Sequence, residues 1–327
     1  MDVKSQLAPY AKRFEKALSS FLVRTEPQPL YDAAWHLPAA GGKRLRPVIA
    51  MISCETVTGD GERVVPFSLA LELIHNFTLV HDDIMDHSHM RRNIQTVHEA
   101  YSEPTAIIAG DLLFAKAFES LQGFDGDARI ATTLYELLVN AVIEVCEGQQ
   151  FDMNFEQRPI VSEEEYLLMI EKKTAALFRI AAEGGGVAGE ATEAKRKALR
   201  MYGNSLGLAF QIRDDVLDMS SDLKTLGKDI GNDIRNGKKT LIAVHALKHA
   251  PGKQKQLLEE IFGNRKASET DVKSVAALFQ EIGSVSYANE KAEAYSHQAI
   301  DALKEFDDSS AKDVLIALAH YAKTREK

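Results

Sequence analysis

Cysteine is nearly missing: Cys54 and Cys146 are the only two, far apart and without metal-ligand spacing. That excludes a disulfide framework and a thiolate zinc site, and both thiols are expected to be reduced and buried. Proline is sparse and unevenly placed. All nine prolines lie at or before Pro251, five of them in the first 50 residues, which leaves Thr105 to Arg158 and Ile160 to Ala250 without one. Long helices are therefore permitted there. Positive charge is in deficit, with a formal net charge of −9. A nucleic-acid surface needs Lys and Arg clustered over a face, so nucleic acid is excluded as a partner. Met1-Asp2-Val3-Lys4-Ser5 lacks the apolar core of a signal peptide. No apolar run approaches the roughly 18 residues of a membrane span. The expectation is no membrane span and a cytoplasmic location.

What is present has helical spacing. Ser162-Glu163-Glu164-Glu165 has the form of a capping box, followed by Leu167, Ile170, Thr174, Leu177 and Phe178. Gly184-Gly185-Gly186 is expected to end or interrupt that helix. Thr192 can cap the next, along which Ala198, Leu199, Tyr202, Leu206, Ala209, Phe210, Val216 and Leu217 recur every three or four positions. Upstream, Leu69, Leu73, Asn76, Phe77 and Val80 share a helical side, and Pro66 suits a first turn. Hairpin signals, internal repeats and a Ser/Gly/Pro linker are all missing. The pattern predicts an all-α fold and one domain over residues 1–327.

Two segments carry chemistry. Asp82-Asp83-Ile84-Met85-Asp86 and Asp214-Asp215-Val216-Leu217-Asp218 each place aspartates at i and i+4, one turn apart on a single helix face. Like charges so placed repel by a few tenths of a kcal/mol in an isolated helix. One such cluster is as compatible with a solvated acidic face as with a metal site. Two clusters, both on otherwise apolar helices, imply carboxylates in a cleft, and buried charge needs a partner. Hard oxygen donors without nearby cysteine favour magnesium bridging carboxylates to phosphate. The ligand between two such walls should be a polyanion. Gly41-Gly42-Lys43-Arg44-Leu45-Arg46-Pro47 offers an anion site, with cations at Lys43, Arg44 and Arg46 and glycines that allow close approach. Arg91-Arg92 follows the first cluster, and Lys228 and Lys238 follow the second.

The ordered set of motifs resembles the trans-isoprenyl diphosphate synthase family, in particular its short-chain archaeal geranylgeranyl type, over nearly the whole chain. That resemblance implies a single bundle of long helices around a central active-site cavity, assembled as a homodimer. It implies about three magnesium ions, held chiefly by Asp82, Asp86 and Asp214, with Asp83, Asp215 and Asp218 as further ligands or supports. Lys43, Arg46, His75 and Arg92 would bind isopentenyl diphosphate. Arg91, Lys173, Thr174, Gln211, Lys228 and Lys238 would surround the allylic diphosphate, whether dimethylallyl, geranyl or farnesyl. Phe77 lies five residues before Asp82, about 7.5 Å deeper along a helix. A ring there, with the non-aromatic Thr78 beside it, resembles the chain-length floor of synthases that stop at geranylgeranyl diphosphate. Farnesyl or mixed products are the nearest alternative.

The sequence departs from the family where Arg91-Arg92-Asn93-Ile94-Gln95-Thr96 replaces R-R-G-x-P-T, and at His87 and His89. A terpene cyclase would leave Lys43 and Arg46 idle. A metal-dependent phosphohydrolase with a His-Asp pair, suggested by His75 and His81-Asp82, would leave Asp214 to Asp218 unexplained. A non-catalytic partner subunit would not need both clusters intact.

Overall fold

Helix follows helix from Val3–Phe21 to Ser310–Thr324 in a computed structural model, which describes residues 3–224 and 232–324. The chain divides into two units interleaved in sequence. One comprises residues 1–142, 177–200 and 303–317; the other comprises residues 143–176, 201–302 and 318–327.

In the first unit the helix Val65–Met85 is central, with Pro66 in its first turn as expected. It packs on the helices Leu45–Thr58 and Glu103–Ser120. Phe67, Leu71, Leu73 and Ile74 are fully buried there, each burial contributing about 1.5–3 kcal/mol. An 18-residue window of Glu62–Met85 has a mean hydropathy of 1.3, long and apolar enough for a membrane span by composition, although 61% of it is buried inside the fold. The expectation that no apolar run approaches that length is corrected accordingly.

The glycine triplet does not break its helix. Ala176–Ala188 runs through it. A side chain at Gly184 would strike the Phe67 ring, and one at Gly185 would strike the backbone of Ala50. These glycines let helices approach closely, a packing use that outweighs their low helix propensity.

The second unit packs the helix Leu241–His249 against Glu163–Ile170, Glu269–Glu281 and Ser284–Ala302. Its core includes Tyr166, Ile212, Leu241, Leu258, Val275 and Phe279. The capping box forms as read: Glu165 N–H donates to Ser162 Oγ at 3.2 Å and Ser162 N–H to Glu165 Oε2 at 2.9 Å. The spacing after it holds less well, because Glu171–Ala175 is a single wide π turn.

Two further expectations change. Cys54 is buried, but Cys146 is exposed; neither is in a disulfide. A hairpin is present, pairing Met90 with Gln95 and Arg91 with Ile94.

Candidate active site

The helix Val65–Met85 delivers the first aspartate cluster at its C-terminal end, with Asp86 as C-cap. Asp82 is half-buried, Asp83 is buried and Asp86 is exposed. The inner carboxylate is gripped by Arg91, whose Nε lies 2.8 and 2.9 Å from the two Asp83 oxygens and whose second terminal nitrogen lies 2.7 Å from Oδ1. Burial raises the Asp83 carboxyl and the Arg91 guanidinium opposes that rise.

Arg91 is aimed by the hairpin. Its two turn residues, Arg92 and Asn93, have φ of +52° and +64°, the left-handed pair of a type I′ turn. Asparagine tolerates that region better than most residues, so Asn93 can stand where the family commonly has glycine. Gln95 replaces the family's proline and accepts a hydrogen bond at its carbonyl from His36 Nε2 at 2.8 Å. His89 Nδ1 lies 2.8 Å from Glu99 Oε1, and His87 is exposed.

The same unit gathers the residues expected to hold the second diphosphate. Arg92 donates to the carbonyls of Gly41 and Leu37. Gly42 suits this approach: φ +148° would strain any side chain, and a Cβ would come within 3.1 Å of the Arg92 guanidinium carbon and push it aside. Arg46 is stacked 4.6 Å from the Phe178 ring centroid, and Lys43 is exposed. His75 is held well below its ordinary pKa by burial and then by the fields of Arg46, Arg92, Arg91 and Arg44, so it is neutral and sits in a strongly positive region.

Arg44 departs from the reading of three cations on one anion site. Only 3% exposed, it binds Glu72 at 2.5 Å, Glu15 at 2.6 Å and the Pro38 carbonyl at 2.6 Å. Its charge is committed inside the protein. Of the other two cations of that motif, Lys43 is exposed and Arg46 is half-buried.

Phe77 is half-buried and begins an aromatic column. Its ring meets His81 at 4.8 Å and Phe114 at 5.4 Å, both edge to face, and Phe114 meets Phe118 at 5.0 Å. Thr78 Oγ1 donates to the His75 carbonyl at 2.8 Å, an internal helix contact.

In the second unit the helix Glu193–Lys224 carries the other cluster. The exposure pattern repeats: Asp214 half-buried, Asp215 buried, Asp218 exposed. The inner carboxylate here has neutral donors. Tyr166 OH donates to Asp215 at 2.7 Å and Gln211 Nε2 at 2.9 Å, while Thr174 Oγ1 donates to Gln211 Oε1 at 2.8 Å. Burial pushes Asp215 up to about 7, against the pull of Lys238 and these two donors. Tyr166 itself is raised far above the ordinary tyrosine range by burial and by Asp215.

Lys173 sits in the π turn, paired with Asp152 at 2.5 Å. Its backbone presses on Gly148, where any side chain would clash. Lys238 is raised by Asp233, Asp215, Asp152 and Asp218 despite burial, so its ammonium lies in the field of the cluster. Lys228 lies outside the described residues.

Tyr166 and Asp152 were not among the expected site residues. Tyr166 had a readable signal, since a tyrosine on the apolar stripe of a buried helix must find an acceptor for its hydroxyl. Asp152 had none.

A helical chain with two D-D-x-x-D clusters, each rooted by a buried inner aspartate beside cations, defines the class of enzymes that handle isoprenoid diphosphates. The particular family is equally plain: this chain belongs to the polyprenyl synthetase family, whose model matches residues 27–279. It is 42% identical over 316 residues to the geranylgeranyl pyrophosphate synthase of Geoglobus acetivorans, covering 97% of each chain. The crystal structure of geranylgeranyl pyrophosphate synthetase from Pyrococcus horikoshii superposes with a TM-score of 0.93 at 42% identity, covering 99% of this chain and 98% of that one. A polyprenyl synthase from Caulobacter crescentus, solved with calcium and isoprenyl diphosphate, gives a TM-score of 0.88 at 31% identity, covering 99% of this chain and 98% of that one.

Proposed function

We propose that the chain is a short-chain trans-prenyltransferase that condenses isopentenyl diphosphate with allylic diphosphates and stops at geranylgeranyl diphosphate. The observation that carries the reading is the repeated cluster design: an inner aspartate tied down, outer carboxylates left half-buried or exposed, and cations close by. Both units then act as one domain, in a cytoplasmic homodimer.

The donor set fits a hard divalent cation, because the outer groups are all carboxylate oxygens and the inner ones are already used internally. Asp82, Asp86 and Asp214 would hold magnesium, about three ions by the family pattern, with Asp218 as a further ligand. When bound, magnesium supplies Lewis-acid stabilisation of negative charge on the departing diphosphate. Lys173 and Lys238 hold that diphosphate as point charges, and Thr174 and Gln211 orient it. Asp83 and Asp215 are positioning residues that set the helix faces. Lys43, Arg46 and Arg92 bind the diphosphate of isopentenyl diphosphate, with neutral His75 as a hydrogen-bond partner. Apolar walls shield the allylic cation from water, and the double bond of isopentenyl diphosphate attacks it, so no protein nucleophile is needed. Phe77, backed by Phe114, ends the space for the growing chain.

The test is to incubate the purified protein with magnesium, isopentenyl diphosphate and each allylic primer, then measure diphosphate release and product length. A twenty-carbon diphosphate is the expected product. Hydrolysis without elongation, or a hydrocarbon, would overturn the reading. Phe77→Ser should lengthen the product, and an unchanged product profile would remove Phe77 as the floor.

A further inference from the structure

Away from the aspartates, the second unit contains an open pocket of about 780 Å³, within the size range of small-molecule sites. Val161, Val244, Leu247, Leu258 and Phe262 form apolar walls, and Ile160 lies at the pocket 78% exposed. Lys239 also lines it, only 6% exposed. Its ammonium donates to the Gly237 carbonyl at 2.8 Å and lies 5.1 Å from the Phe262 ring centroid. Among the described residues no carboxylate forms an ion pair with it, and exposed Glu156 acts on it only through its field. An ammonium has three protons to place, and a buried cation without a counter-ion is costly.

The other charges limit what can answer Lys239. Arg158 is closed off by Glu165 at 2.7 Å, and Glu163 by Lys291 at 2.8 Å and Tyr287 at 2.7 Å. Exposed Lys248 and Lys255 are accompanied by exposed Glu156, Glu164 and Glu259. A free polyanion would meet those glutamates. An apolar body with one anionic head satisfies the walls and the buried ammonium together.

We propose that this pocket is a second ligand site, separate from the aspartate clusters, which binds a long-chain amphiphile with its single anionic head on Lys239. An acyl carboxylate and an isoprenoid monophosphate share that chemistry.

The test is calorimetric titration of the full chain in EDTA, which suppresses metal-dependent diphosphate binding. The probes are palmitoleate and geranylgeranyl monophosphate, each below its micellar range, and inorganic diphosphate. At least one amphiphile should bind with one molecule per chain, and inorganic diphosphate should not compete with it. A response to both amphiphiles assigns the site to the shared chemistry, and a response to one assigns the source. Lys239→Met, which keeps the volume and removes the charge, should weaken binding about tenfold without lowering the melting temperature. Val244→Trp, which fills the pocket, should abolish binding and leave prenyl transfer unchanged. Absence of binding by either amphiphile to the parent chain overturns the proposal, as does equal binding by parent and Lys239→Met. The latter comparison stands even where Val244→Trp misfolds.

Discussion

The two aspartate clusters have the same spacing and the same exposure pattern, yet they are rooted in opposite ways. Asp83 is met by a guanidinium from the hairpin, eight residues along the chain. Asp215 is met by a phenol and an amide, with Lys238 acting on it only through its field, and burial raises its carboxyl to about 7. Helix geometry explains the sameness: position i+1 is turned about 100° from i and about 60° from i+4, so a helix that presents the outer pair must point the middle aspartate elsewhere. Burial then demands a partner. The D-D-x-x-D pattern specifies the outer pair, and each unit supplies its own solution for the inner residue.

The largest expected effect tests what the clusters share. Asp82→Ala and Asp214→Ala should each reduce kcat by about 10³-fold, as removal of groups that stabilise transition-state charge does. Steady-state assays across magnesium concentration would check this. A loss confined to one cluster would break the equivalence of the two.

Next comes the charged root. Arg91→Leu leaves a buried carboxylate without its cation, a change worth about 3 kcal/mol, readable as a shifted denaturation midpoint. Tyr166→Phe removes one of two neutral donors to Asp215 and should cost less, about 1–2 kcal/mol. Reversal of that order would show that the neutral shell, and not the ion pair, is the stronger anchor.

The raised Asp215 carboxyl adds a pH signature in protein stripped of metal with EDTA. Between about pH 4 and pH 7 the folded chain keeps a proton that the unfolded chain has released. The stability of parent relative to Asp215→Asn should therefore fall as pH rises through that window and level off above it. Denaturant midpoints of the two proteins give the difference directly, and a difference that rises with pH would refute the contrast.

How much of this was legible follows from range. The helices, the capping box at Ser162 and both clusters depend on neighbours within a turn or two, and spacing alone located them. Arg44, Tyr166 and Asp152 depend on partners 28, 49 and 21 residues away in sequence, and nothing local separates Arg44 from Lys43. The glycine triplet was misread for the same reason, since its role is set by Phe67 and Ala50 on other helices. The hairpin was missed because its strands are two residues each and its turn, Arg92-Asn93, lacks the usual glycine.

That turn gives the smallest and most local expectation. Asn93 holds φ +64° at a position where a residue other than glycine, asparagine or aspartate would be strained. Asn93→Gly removes the residual strain but loosens the unfolded chain, so the two effects should cancel to within about 0.5 kcal/mol. Asn93→Val keeps the unfolded chain stiff and cannot relax into the left-handed region, at a cost of about 1–2 kcal/mol. Because Arg91 precedes the turn by one residue and grips Asp83, the valine variant should also loosen the first cluster and raise the magnesium concentration needed for half-maximal rate. Asn93→Gly should leave it unchanged. A valine variant that loses stability with no change in magnesium dependence would separate the hairpin from the charged root, and the grip of Arg91 on Asp83 would then owe nothing to the turn that aims it.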